Sequence, residues 1–134
     1  GPFAAFTGAW SGSGQGRFSG GSSELLKCKA YYTPKEAGAS LGIAIMCASP
    51  GSRIELRANL AHEQGRVRGQ WEERTFHATG AVNGKASGDR LTLAIEGGGF
   101  SGSMAVGLNG ASQSVSIETS GIGMTGVTIN LSRG

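Results

Sequence analysis

At 134 residues the chain has room for one domain with one core and is short for two. Charged residues make up 16% and hydrophobic ones 38%, which argues against a disordered chain, and a formal net charge of +3 is too small to imply a nucleic-acid partner. The longest apolar run, Leu41 to Ala48, is far too short for a membrane helix, so no transmembrane segment is expected. Gly1-Pro2 has the look of a remnant left by tag cleavage with a viral 3C-type protease. The domain is therefore read over residues 3–134.

Residues 9–18 sort by parity. Trp10, Gly12, Gly14, Gly16 and Phe18 fall on one side, and Ser11, Ser13, Gln15 and Arg17 on the other. Side chains alternate across a strand, so this is a ribbon with a polar outer face and an inner face nearly stripped of side chains. Such glycines suit a strand that bends sharply at a barrel corner, or one whose backbone is closely approached. In the next strand Leu26, Cys28, Ala30 and Tyr32 share a face, and after Pro34 so do Leu41, Ile43, Ile45 and Cys47. A hairpin centred between Ala37 and Gly38 sets Cys28 opposite Cys47, within disulfide reach. The alternative is two reduced thiols acting as small hydrophobes. A disulfide points to an oxidising compartment, either periplasmic or secreted.

Ser49-Pro50-Gly51-Ser52 reads as a type II turn. Ile54, Leu56, Ala58 and Leu60 then face inward, Glu63-Gln64-Gly65 turns, and Val67, Gly69 and Trp71 return with Trp71 opposite Leu56. A bulge is expected near Glu73 to Phe76. Ala78, Gly80, Val82 and Gly84 continue an inward face, followed by Leu91, Leu93 and Ile95, then Phe100, Gly102, Met104, Val106 and Leu108. Asn109-Gly110 is read as the centre of a type I′ hairpin. Val115 and Ile117, then Val127, Ile129 and Leu131, complete the series. No long window keeps helical periodicity, and short turns join neighbouring strands throughout. The expected fold is all-β: an antiparallel up-and-down meander closed into a barrel of about eight to ten strands. A charged outer face, with Lys27, Lys29, Arg53, Glu55, Arg57, Arg68 and Glu72, argues against an outer-membrane barrel.

Gly8-Ala9-Trp10 at the start of such a meander resembles the Gly-x-Trp signature of the calycin superfamily, which includes lipocalins, fatty-acid-binding proteins and avidins. The resemblance implies a basic residue near the end of the last strand packed across that tryptophan, and Arg133 stands at the matching position. The longer run from Gly8 to Gly16 also resembles the opening of nitrobindin-type ten-stranded haem barrels. That pattern implies an axial histidine, whereas this chain has His62 beside a turn and His77 on a face read as outward. Nothing resembles the helical lid of the fatty-acid-binding proteins, and no cofactor is expected.

Tyr32, Trp71, Phe100 and Met104 are the large side chains of the expected interior, and they are candidates to line a pocket for a small hydrophobic or amphipathic ligand where glycines leave volume. The competing reading is that aromatics and glycines interlock to fill the core. Arg53, Arg57, Arg66, Arg68 and Arg74 form an outer face with Glu55 and Glu72 among them. This face is a candidate docking surface for a protein or an anionic partner of the bacterial envelope, as an inhibitor or scaffold would use. Its alternative is a solvated surface of offset charges. No nucleophile, base and orienting group can be assembled on adjacent strands, and no metal-ligand spacing occurs, so a non-enzymatic binding protein is expected.

Overall fold

The computed structural model describes residues 2–134, so Gly1 of the expected tag remnant lies outside the described residues. The chain forms the strands β1 (Gly8–Phe18), β2 (Ser23–Lys35), β3 (Ser40–Ala48), β4 (Arg53–Glu63), β5 (Arg66–Glu73), β6 (Ala78–Ser87), β7 (Arg90–Gly97), β8 (Phe100–Asn109), β9 (Ser112–Ser120) and β10 (Met124–Arg133). Each pairs antiparallel with its sequence neighbours, and β1 also pairs with β10, so the meander closes into a ten-stranded barrel. Closure leaves no strand edge exposed to another chain. Among the described residues no helix is long and apolar enough to cross a membrane.

The interior follows from strand alternation. Leu26, Cys28, Ala30 and Tyr32 of β2 are buried, as are Leu41, Ile43, Ile45 and Cys47 of β3, while the residues between them on β2 are exposed. Cys28 lies directly across from Cys47, with Cα atoms 4.1 Å apart, and the two are joined by a disulfide. In β1 Gly12 and Gly14 serve a close backbone approach. A Cβ at Gly12 would fall 2.0 Å from the Asn130 carbonyl oxygen, and one at Gly14 would fall 2.6 Å from that of Thr128. The space on that face is taken by the β10 backbone and is not a hollow.

One end of the barrel is plugged. Phe3 and Phe6, around the short 3-10 turn Ala4–Phe6, are fully buried beneath Trp10 and Tyr32, with the Phe6 and Tyr32 rings 6.1 Å apart. The Trp10 indole Nε1 donates to the Phe6 carbonyl at 2.9 Å. Arg133 sits opposite Trp10, its guanidinium 4.2 Å from the ring centroid, and donates to the Thr7 and Ala5 carbonyls at 2.6 and 2.9 Å. Cation and ring thus tie both chain ends to the plug.

Several local expectations are corrected. Trp71 pairs with Ala58, and Leu56 with Glu73, because the β4–β5 turn has two central residues, Gln64 and Gly65, both at positive φ. The expected bulge near Glu73 is a four-residue turn over 74–77, which starts at the β5 end and holds His77 at positive φ. Gly51 does not take the positive φ of a type II turn; the Ser49 N–H bonds the Ser52 carbonyl at 2.9 Å instead. The β8–β9 turn is centred on Gly110-Ala111, one residue later than expected, since Asn109 pairs with Ser112.

Trp10→Ala should destabilise the fold by about 3–5 kcal/mol, the range for large aromatics deleted from cores, as measured by urea unfolding. A loss below about 1 kcal/mol would show that the plug does not rely on this ring. Reduction of the Cys28–Cys47 bond should lower the melting temperature, since closing a loop of this size is worth about 3 kcal/mol in the chain-entropy model. An unchanged value with both thiols titratable would contradict a stabilising role.

Candidate functional site

The end opposite the plug is the mouth, formed where β2, β4, β6, β8 and β10 begin and β1, β3, β5, β7 and β9 finish. Burial is graded between the two ends. Toward the plug, Leu41, Leu60, Val67, Leu91 and Leu131 are buried, whereas Ile54, Leu56, Phe100, Ile117 and Met124 near the mouth are only partly buried. The mouth end also carries exposed apolar side chains: Leu25 at 79%, Phe76 at 60% in the β5–β6 turn, and Ile122 at 46% in the β9–β10 turn.

The site is built on a lateral row across four strands. Trp71 of β5 pairs with Gly80 of β6, and Gly97 of β7 pairs with Phe100 of β8. The two glycines are nearly in contact, since a Cβ at Gly97 would lie 2.9 Å from the Gly80 Cα. A Cβ at Gly80 would lie 1.7 Å from the Glu96 carbonyl oxygen and 2.8 Å from Trp71 Nε1. With no side chain at either position, the two rings meet edge-on across the gap, their centroids 5.2 Å apart. An open depression of about 520 Å3 lies on the outer side of this row, where the outward-facing Ala81, Glu96 and Ser101 line it together with Gly80, Gly97, Gly98, Gly99 and Phe100. A second, of about 390 Å3, lies on the outer wall among the outward-facing Arg57, Asn59, Gln70, Glu72 and Thr79, with Trp71 and Gly80 at its base.

Two carboxylates stand on the inward register at the rim. Glu73 accepts from the Glu55 and Phe76 backbone N–H groups at 2.6 and 2.7 Å, which anchors the 74–77 turn. Glu24 accepts from the Ser49 hydroxyl, and from that of Ser52 at 2.9 Å, linking β2 to the β3–β4 turn. The Ser49 hydroxyl, then that of Ser52, holds the Glu24 carboxyl below its ordinary range, with a smaller contribution from the Gly51 backbone.

Of the four candidate pocket residues, the structure brings Trp71 and Phe100 together, and Met104 lies two inward positions deeper on the strand that carries Phe100. Tyr32 belongs to the plugged end. Its hydroxyl donates to Gln113 Oε1 at 2.6 Å in the buried core, and burial pushes its ionisation well above the ordinary phenol range. The rows explain this separation. Tyr32, Ile43, Ala58 and Trp71 are successive cross-strand neighbours, and in a barrel of tilted strands such a row climbs from one end toward the other. Arg53, Arg57, Arg66, Arg68 and Arg74 are all exposed. Arg53 is 3.8 Å from Glu55, Arg74 is 3.4 Å from Glu72, and Arg57 lies across from Glu72. Sequence reasoning missed the Phe3–Phe6 plug, Gln113, and the roles of Gly80, Gly97, Glu24 and Glu73. The i, i+3 spacing of Phe3 and Phe6 was the one available signal for the plug.

The geometry defines a class: an antiparallel ten-stranded meander barrel sealed at one end by its own N-terminal segment. No protein-family model matches the sequence, and no curated protein does. Solved structures do resemble the fold. Rv2717c from M. tuberculosis superposes with a TM-score of 0.76 at 15% identity, covering 99% of this chain and 97% of that one. The S-type phycobiliprotein lyase CPES from Guillardia theta superposes with a TM-score of 0.67 at 12% identity, covering 98% and 90%. Both are barrels of the calycin- and lipocalin-like kind, and at these identities the likeness is one of fold.

Because the folded-state pKa of Glu24 is depressed, its contribution to stability is present above the unfolded carboxylate value, about 4.3, and is lost as pH falls through the folded value. Acid unfolding followed by circular dichroism should therefore be steeper below about pH 4.3 for the native chain than for Glu24→Gln. Superimposable profiles would show that the serine contacts do not favour the ionised form.

Proposed function

We propose that the protein is a non-enzymatic binder of a small hydrophobic or amphipathic molecule, held at the mouth of the barrel against Trp71 and Phe100. The observation that carries this reading is the aromatic pair closed over two bare glycines, at the end opposite the plug. Aromatic faces and exposed backbone make a surface suited to apolar contact, and the partly buried Leu56, Ile117 and Met124 extend it inward. The site is read as binding because its surface is rings and glycines, with no paired acid and base. Similarity in fold to a phycobiliprotein lyase lends support to a barrel that deals with a small molecule. The Cys28–Cys47 bond supports an oxidising setting, periplasmic or outside the cell.

The test is titration of 15N-labelled protein with octan-1-ol. Amide shifts should gather at Trp71, Gly80 and Gly97 to Phe100, with Tyr32 and Gln113 at the plugged end unmoved. Phe100→Ala should weaken binding about tenfold, equivalent to about 1.4 kcal/mol. Absence of shifts at the mouth across a panel of apolar probes would remove the proposal. A protein partner whose shifts fall on Arg53, Arg57, Arg66, Arg68 and Arg74 would favour the docking alternative.

A further inference from the structure

The Trp71 indole Nε1 is a buried donor with no acceptor among the described residues, in a side chain only 6% exposed. The other tryptophan shows the usual arrangement, since Trp10 Nε1 is bonded to the Phe6 carbonyl. A buried donor without a partner costs about 1–3 kcal/mol, so natural proteins keep few of them. This one lies beside Gly80 on the inward side of the sheet, 2.8 Å from where a Gly80 Cβ would stand. The Gly80–Gly97 contact is all backbone, so no side chain from those two positions stands between the indole edge and the mouth.

The charges around the mouth narrow the partner. On the inward register at this end the strands place Phe18, Glu24, Leu56, Glu73, Phe100 and Met124, among other apolar or small residues, with no lysine, arginine or histidine. Nearby cations face elsewhere. Arg17 donates outward to Thr128, Arg53 lies beside Glu55, and Arg74 is bonded to Glu72. Glu24 and Glu73 are both fixed by donors of their own, so neither is free to swing away from the rim. A ligand carboxylate or phosphate entering here would meet two fixed negative groups without a counter-charge, and like charges close together in a partly desolvated site repel strongly.

Resting on the reading of the mouth as a binding site, we infer that it selects an uncharged amphiphile whose hydrogen-bond acceptor, a carbonyl or ether oxygen, meets Trp71 Nε1, and that it discriminates against alkyl carboxylates. The neutral acceptor satisfies the donor without adding charge. The alkyl portion lies along Phe100, Leu56 and Met124.

Three probes of equal chain length separate the contributions: octanamide, octanoate and octyltrimethylammonium, titrated at pH 7 while the two indole N–H resonances are followed. Octanamide should bind at least about tenfold more tightly than octanoate and move the Trp71 indole proton downfield, leaving that of Trp10 in place. Octyltrimethylammonium, which has no acceptor, should leave the Trp71 resonance nearly unmoved. Trp71→Phe should weaken octanamide and narrow its lead over octanoate. The indole shift in the native chain tests the same point without relying on that variant to fold. Octanoate binding as tightly as octanamide, or octanamide bound at the mouth with the Trp71 indole resonance unmoved, would overturn the inference and leave the mouth reading standing. Failure of all three probes to shift any mouth resonance would instead defeat the mouth reading, and the inference with it.

Discussion

The pairing of β1 with β10 is the constraint on which the rest of the molecule depends. Strands so rich in glycine and small polar residues have little to hold an open sheet together, and without closure both edges would face water. The seam is reinforced where it meets the plug. Trp10 lies under the Arg133 guanidinium, that guanidinium holds the Ala5 and Thr7 carbonyls, and the Trp10 indole holds the Phe6 carbonyl. The carbonyls of an irregular segment are thereby satisfied by side chains from the first and last strands, as buried backbone requires. The same contacts that close the sheet also seal one of its ends.

Sealing one end makes the barrel polar in the geometric sense. Large aliphatic residues and the Tyr32–Gln113 pair fill the plugged half, while the other half thins to partly buried side chains and backbone. The Cys28–Cys47 bond sits toward the mouth half of β2 and β3, and Glu24 bridges from β2 to the turn just beyond. That side of the rim is cross-linked. The side built from β5 to β8 relies on glycines that allow very close strand approach, and the larger depression and the unpartnered indole occur there.

Inside and outside were legible from the sequence because parity survives small errors. Placing Trp71 opposite Leu56 when it pairs with Ala58 shifts the register by two, and a shift of two leaves every side chain on its own face. Lateral neighbours have no such protection. The meeting of Trp71 with Phe100 depends on Gly80 and Gly97 falling in one row, which is fixed by the β6–β7 turn at Gly88-Asp89, while the turns at 74–77 and Gly98-Gly99 set Trp71 against Gly80 and Phe100 against Gly97. Reading the turn at 74–77 as a bulge hid that row. The Cys28–Cys47 pair was within reach because a single hairpin separates the two residues, and the hairpin's centre could be placed. Tyr32 and Trp71 both face inward, yet strand tilt carries them to different heights, and alternation along a strand holds no information about height.

The seam has a mechanical consequence. β1 enters and β10 leaves at the same pole, with the Gly134 N–H bonded to the Ala9 carbonyl. Traction applied between residues 8 and 133 would therefore load the ladder one rung at a time, beginning at Trp10 and Arg133, much as a zip is opened from its tab. Traction applied along the barrel axis between the plug and a rim turn would load many rungs of one strand together. The molecule is thus soft to force in one direction and stiff in the other.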